Sequence, residues 1–203
     1  MEGQIIYTTH SEDFIDCGDF DNITIFAQRS DMEIVVRHIS EEILKNHTLA
    51  YGYTGDTIGN QHIHYRLIET ITLGLKEALF AHKAVIVEGP SEIELLRFFS
   101  EADKEQIAIV SADGKSNIPS VYSFLTAFGI PCLVIMDSDE KTQGENKKII
   151  DVLAQRNAQD KDSTGITISE SEINGVCDGD IFMKDRLLVF AKNLEAVLEN
   201  KVV

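Results

Sequence analysis

From residue 84 onward, short apolar runs alternate with amphipathic stretches, and this alternation constrains the fold more than any other feature. Ala84–Val87, Ile107–Val110 and Cys132–Met136 are apolar runs of strand length. Between them, Ser91–Ala102 and Ile118–Phe128 carry apolar residues at helical spacing, and Glu145–Arg156 follows the third run in the same way. Strands separated by helices pair in parallel through right-handed crossovers, which gives an α/β sheet covered by helices. Ile166–Ile168 and Leu188–Phe190 are candidate later strands, and Asn193–Asn200 a closing helix.

The stretch before residue 84 follows a different grammar. Gln4–Thr8, Asn22–Ala27 and Met32–Val36 are expected strands, the second rich in β-branched residues. Ser40 is placed to cap a short helix. Residues 47–64 show no period and hold Gly52, Gly55 and Gly59, which marks a loop. Leu67, Ile68, Ile71, Leu75, Ala78 and Leu79 then predict an amphipathic helix over Arg66–His82.

Composition narrows the class. The chain has 203 residues, 43% of them hydrophobic and 26% charged, as in ordinary globular proteins. No apolar run is long enough to cross a bilayer, so no membrane partner is expected. Met1–Gln4 does not begin a signal peptide. Cys17, Cys132 and Cys177 are widely spaced and odd in number, which fits neither a disulfide framework nor a zinc pattern and predicts a cytoplasmic location. Eighteen Lys and Arg against 34 Asp and Glu leave a net charge of −16. A chain so acidic repels nucleic acid on average. The excess serves solubility, or part of it is gathered to hold metal.

Ligands in a parallel sheet collect beyond the carboxyl ends of its strands. Two strands deliver acids there. The first ends in Glu88, with Glu92 in the first turn after Gly89-Pro90 and Ser91 as candidate helix cap; the second ends in Asp137 and Asp139. Asp137 and Asp139 share a side because side chains repeat every second residue. Four converging carboxylates without a local cation repel one another, and a divalent ion relieves that. Oxygen ligands select Mg²⁺ or Mn²⁺. Taken singly, Glu92 is a favourable first-turn acid and the two aspartates cap a turn. Together, at two strand ends of one sheet, they predict a metal site.

Other motifs carry less. An Asp-x-Asp after a strand also occurs in haloacid dehalogenase phosphatases, but that pattern wants Thr or Val where Lys141 stands. Gly114-Lys115-Ser116 looks like the end of a phosphate-binding P-loop, yet GxxxxGK[ST] requires a glycine at Ile109. No other such motif is present. His62 and His64 are expected to be surface histidines, and Phe98, Phe99, Phe124 and Phe128 to be core.

Residues Leu79–Glu92, Asp113–Asn117, Phe128–Pro131 and Val134–Asp139, in that order and spacing, resemble the Toprim domain of OLD-family (overcoming lysogenization defect) nucleases. Gln4–Ile15, around His10, looks like the last strand and switch-histidine loop of an ABC-type ATPase, which OLD proteins carry ahead of Toprim. The resemblance implies three parts: residues 1–45 as the C-terminal edge of an ATPase domain whose nucleotide cradle would precede Met1, 46–82 as linker and helix, and 83–203 as a Toprim nuclease domain. It implies an ATP-dependent endonuclease family that cuts DNA with one or two divalent ions and serves in phage defence. Glu88 matches the first Toprim glutamate, a metal ligand and base; Glu92 matches the second acid of the VEGxxE pattern; Asp137 and Asp139 match the DxD ligands. Glu195 is the candidate for the family's later acid, against a plain helix-surface acid. The family's further downstream basic residue has no evident counterpart, Lys201 being too early. The expected partners are DNA and either a second copy or a partner subunit. The competing expectation is a catalytically incomplete Toprim module that serves assembly or regulation beside a partner supplying ATPase and DNA-binding parts. Neither a primase zinc motif nor a topoisomerase tyrosine domain is seen.

Overall fold

The computed structural model describes residues 5–28, 32–40, 42–44, 74–99, 106–138, 143–159, 169–174, 181–184 and 186–190. Its centre is a sheet of five strands: β3 (Lys83–Val87), β4 (Ile107–Ser111), β5 (Cys132–Asp137), β6 (Ile181–Lys184) and β7 (Leu187–Phe190), in the order β4-β3-β5-β7-β6. β3 pairs in parallel with both β4 and β5, and β5 in parallel with β7; only the edge strand β6 runs antiparallel, against β7. The expected parallel βαβαβ unit over residues 84–140 is therefore present as far as it is described. β6 was not foreseen. Its four residues include Lys184 at one end, and the hairpin to β7 is too short for a strong periodic signal.

Alternation along the strands separates two cores. Ala84, Ile86, Ala108, Val110, Val134, Met136, Leu187 and Val189 face the larger one. Val85, Val87, Ile109, Leu133, Ile135, Leu188 and Phe190 face the smaller. Helix α2 (Pro90–Phe99) covers the smaller face through Ile93 and Leu96, one helical turn apart. The larger face takes α1 (Leu75–Ala78), α3 (Ile118–Ala127) and α4 (Gln143–Gln159). Phe124 and Phe128 are fully buried there, as expected. Phe98 is not core: it is 81% exposed. It lies five positions beyond Ile93, about 140° round the helix, and so points away from the sheet.

α3 buries polar side chains by satisfying them within the helix. Ser123 Oγ donates to the Pro119 carbonyl and Thr126 Oγ1 to the Tyr122 carbonyl, each at 2.7 Å. The short helix α5 (Glu170–Asn174) opens with a capping box: Ser169 Oγ accepts from the Glu172 amide at 3.3 Å and Glu172 Oε2 accepts from the Ser169 amide at 2.8 Å.

The N-terminal stretch packs on the larger core. β1 (Thr24–Gln28) and β2 (Ile34–His38) form an antiparallel hairpin apart from the main sheet. Cys17, Phe20, Ile39 and Leu44 are buried in the same cluster as α3. The helix predicted after Ser40 begins as expected, with the Ile43 amide donating to Ser40 Oγ at 3.2 Å. The strand expected over residues 4–8 does not form in its described part, residues 5–8, where Ile5 and Ile6 are exposed. Apolar character alone cannot make a strand that has no neighbour to pair with.

The amphipathic helix expected over Arg66–His82 is helical, among its described residues, only at Leu75–Ala78. Gly74 takes φ +91°, a left-handed conformation in which no α-helix continues. A Cβ there would stand 2.4 Å from the Ile109 carbonyl oxygen, so the glycine also lets α1 approach β4. The predicted strand at 166–168, the closing helix at 193–200, and His62 and His64 lie outside the described residues, as do Phe99's side chain and most of the 46–82 segment.

Candidate functional site

Three parallel strands end together. β3 ends at Val87 and β4 at Ser111, which are register partners, and β5 at Asp137 next to β3. Glu88 follows β3 directly. Its carboxylate crosses to the neighbouring strand, where Oε1 accepts the Asp137 backbone amide at 2.8 Å. The two acids expected at adjacent strand ends are thus joined, through a side chain on one and the backbone of the other.

The loop after β4 brings a third group. Ala112 N–H donates to the Val87 carbonyl and Gly114 N–H to the Glu88 carbonyl, both at 2.8 Å, so the chain leaving β4 stays beside Glu88. Asp113 (φ +52°) and Gly114 (φ +119°) then reverse it through positive-φ conformations that Asp and Gly tolerate. Asp113 is steadied by its amide bond to Ser111 Oγ at 3.1 Å. The turn delivers Lys115 into the sheet edge with 5% of its side chain exposed. Lys115 Nζ donates to the Asp137 carbonyl and lies 3.5 Å from Glu88 Oε1. Glu88, Asp137 and Lys115 therefore form a closed ring of contacts linking β3, β4 and β5.

This corrects the expectation of acids converging without a local cation. Lys115 was noted only inside a failed P-loop motif and in the family-like Asp113–Asn117 stretch. The signal that could have found it is related to the one that found the acids: it lies in the turn beyond the carboxyl end of β4, a parallel strand beside β3.

The Glu92 carboxylate engages the turn that opens α2. Its Oε2 accepts the Gly89 amide at 3.1 Å. With Pro90 opening α2, Gly89 takes the capping position and Glu92 reaches back to it from the helix's third residue. Ser91, the expected cap, lies inside the helix. Glu92 still bears on Glu88 electrostatically. Burial pushes the Glu88 carboxyl above its ordinary range; the Asp137 amide and Lys115 pull it back, and the Glu92 charge adds to the rise.

Asp139 and Glu195 lie outside the described residues. Among the described residues, no three His, Cys, Asp or Glu side chains are grouped as a metal cage. The donors that are present are carboxylate oxygens at adjoining strand ends, which suits a hard divalent cation. Among the described residues no helix is long and apolar enough to cross a membrane. His10, the switch-histidine candidate, is exposed.

Residues 79–139 match the family described as overcoming lysogenization defect protein-like, TOPRIM domain. The chain is also similar to the OLD nuclease of Thermus scotoductus (strain ATCC 700910 / SA-01), 29% identical over 141 residues. That alignment spans 67% of this chain but only 25% of the relative, so the chain covers about a quarter of the relative's length. The parallel-dominated sheet flanked by helices and the match from Leu79 to Asp139 agree, and over those residues the chain carries an OLD-like Toprim domain.

Proposed function

We propose that the chain supplies the Toprim part of a divalent-metal-dependent DNA endonuclease. The observation that carries this reading is the 2.8 Å link from the Asp137 amide to Glu88 Oε1, which holds two acids of the expected set at neighbouring strand ends. The family match and the name of the Thermus relative support the nuclease assignment. Glu88, Asp137 and Asp139 are the proposed catalytic set. Glu88, Glu92, Asp137, Asp139 and Glu195 are the proposed ligands of Mg²⁺ or Mn²⁺. When bound, such an ion lowers the pKa of a water and stabilises charge on the phosphate and leaving oxygen. The protein residues fix the geometry around it. Asp137's backbone orients Glu88, and Glu92 holds the turn that aims it. Glu88 is also the proposed base that accepts a proton from the attacking water.

The wider assignment follows from the same resemblance. Residues 1–45 are proposed as the edge of an ATPase domain, 46–82 as a linker and helix, and 83–203 as the Toprim domain. DNA is the proposed substrate, a second copy or partner subunit the proposed assembly, the cytoplasm the proposed location and phage defence the proposed setting. A second reading, a non-catalytic Toprim module for assembly or regulation, draws on two observations: Glu92 is engaged in capping α2, and Lys115 already stands beside Glu88.

A plasmid-cutting assay separates the two. The chain and its Glu88→Ala variant are incubated with supercoiled DNA in Mg²⁺, Mn²⁺ or EDTA. Nicking or linearisation that needs metal and is lost in Glu88→Ala is the expected result. No cutting by either would count for the module, and equal cutting by both would show that Glu88 is not needed for catalysis.

A further inference from the structure

Lysine is almost never buried unless paired, yet Lys115 is 5% exposed and its amine is held between the Asp137 carbonyl and the Glu88 carboxylate. Several features make this a built position rather than a chance contact. The Gly114 amide is bonded to the Glu88 carbonyl, and Asp113 and Gly114 both adopt positive φ to turn the chain inward. Glu88 Oε1 faces the ammonium and the Asp137 amide together. An ion that takes Glu88 as a ligand meets a positive charge only 3.5 Å from the same carboxylate oxygen. Two positive charges drawn to one carboxylate oxygen inside a protein repel each other.

We propose that Lys115 is a positioning residue and resident counter-ion: it ties the three strand ends together in the cation-free chain, and it competes with a divalent cation for Glu88. The inference rests on the metal-binding reading above but concerns a residue that reading does not use. Lys115 then sets the cation affinity. It stabilises the empty site by neutralising Glu88, and it weakens cation binding by the same charge. The Asp137 carbonyl keeps the ammonium nearby when a cation takes Glu88, so the displacement is local.

The test is Mn²⁺ titration by calorimetry and by thermal melting, at matched ionic strength, on the whole chain. Lys115→Met keeps the aliphatic stem and removes the charge. It should melt lower than wild type in EDTA and bind Mn²⁺ roughly tenfold tighter. Lys115→Arg, which keeps the charge, should retain wild-type affinity. Equal or weaker Mn²⁺ binding by Lys115→Met overturns the proposal. Glu88→Gln makes the failures distinguishable. If it leaves Mn²⁺ binding intact, the ion sits elsewhere, so both the metal reading and the competition for Glu88 fail. If wild type binds no Mn²⁺ while Lys115→Met does, the counter-ion role stands and the metal reading fails for this chain. If neither binds, both fail. Should Lys115→Met not fold, the double variant with Glu88→Gln decides: removing the charge that the lysine neutralises should restore folding, and no rescue overturns the proposal.

Discussion

The ring of Phe20 meets that of Phe124 edge to face, with centroids 6.1 Å apart and planes at 82°. Phe124 in turn packs against Phe128 at 5.2 Å. A residue far upstream of the sheet thus helps to close the core over its larger face. Phe20→Ala removes a fully buried aromatic and should cost roughly 3–5 kcal/mol of stability. Urea unfolding followed by circular dichroism and by tyrosine fluorescence should show one shared transition, shifted to lower denaturant. Two separated transitions, or a shift below about 1 kcal/mol, would mean that the N-terminal stretch is not part of this core.

Gly74 tests the close approach of α1 to β4. Alanine there must hold φ near +91° and place its Cβ 2.4 Å from a backbone oxygen that cannot swing away. Gly74→Ala should destabilise the chain by about 2 kcal/mol or more. Gly144→Ala is the control. It lies in helix α4, where a Cβ meets nothing within 4 Å, and alanine is the better helix former. It should be neutral or slightly stabilising, and equal effects at the two glycines would contradict the packing described.

Cys17 gives a pH-dependent prediction. Burial raises its thiol from 9.0 to about 11, with Lys76 opposing and Asp16 adding to the rise. The unfolded chain therefore loses this proton at lower pH than the folded one. Its contribution is intact below pH 9 and is lost as pH rises from 9 towards about 11. Cys17→Ala should flatten that part of the melting-temperature profile relative to wild type. In the native chain Cys17 should also resist iodoacetamide at pH 8, because thiolate is the reactive form. Rapid alkylation of Cys17 without unfolding would show that it is not buried as described.

How much of this was legible in the sequence depended on how local the signal was. Val85-Ile86-Val87-Glu88 and Val134-Ile135-Met136-Asp137 carry strand and acid in one contiguous stretch, so both the sheet and the site edge could be placed from them. Lys115 carries only part of that signal: it stands beyond a parallel strand's carboxyl end, but its role depends on a turn made by Asp113 and Gly114 that returns it to Glu88. Glu92 was visible as an acid near Glu88, but its bond to the Gly89 amide depends on where α2 starts. Phe98 was misjudged for a related reason: helical periodicity marks an apolar residue but not how wide a face the sheet covers. The Arg66–His82 pattern ran across Gly74, which is left-handed and lies too close to β4 for any Cβ. Residues 5–8 were strand-like in composition and pair with no strand among the described residues.

The metal site offers the decisive mutation. Asp137 holds Glu88 and Lys115 through its backbone amide and carbonyl. Asp137→Asn therefore leaves those links in place and changes only the side-chain charge. A cation that binds only the folded chain stabilises it by RT ln(1 + [L]/Kd), roughly 2.7 kcal/mol at 100 times Kd. Wild type should melt higher in Mn²⁺ or Mg²⁺ than in NaCl of matched ionic strength, and Asp137→Asn should lose most of that gain. In EDTA the variant should be about as stable as wild type, since its backbone links to Glu88 and Lys115 are unchanged. Equal Mn²⁺ shifts in the two proteins would place the ions elsewhere on a chain of net charge −16. The Glu88–Asp137 ring would then be a structural tie between strands and nothing more.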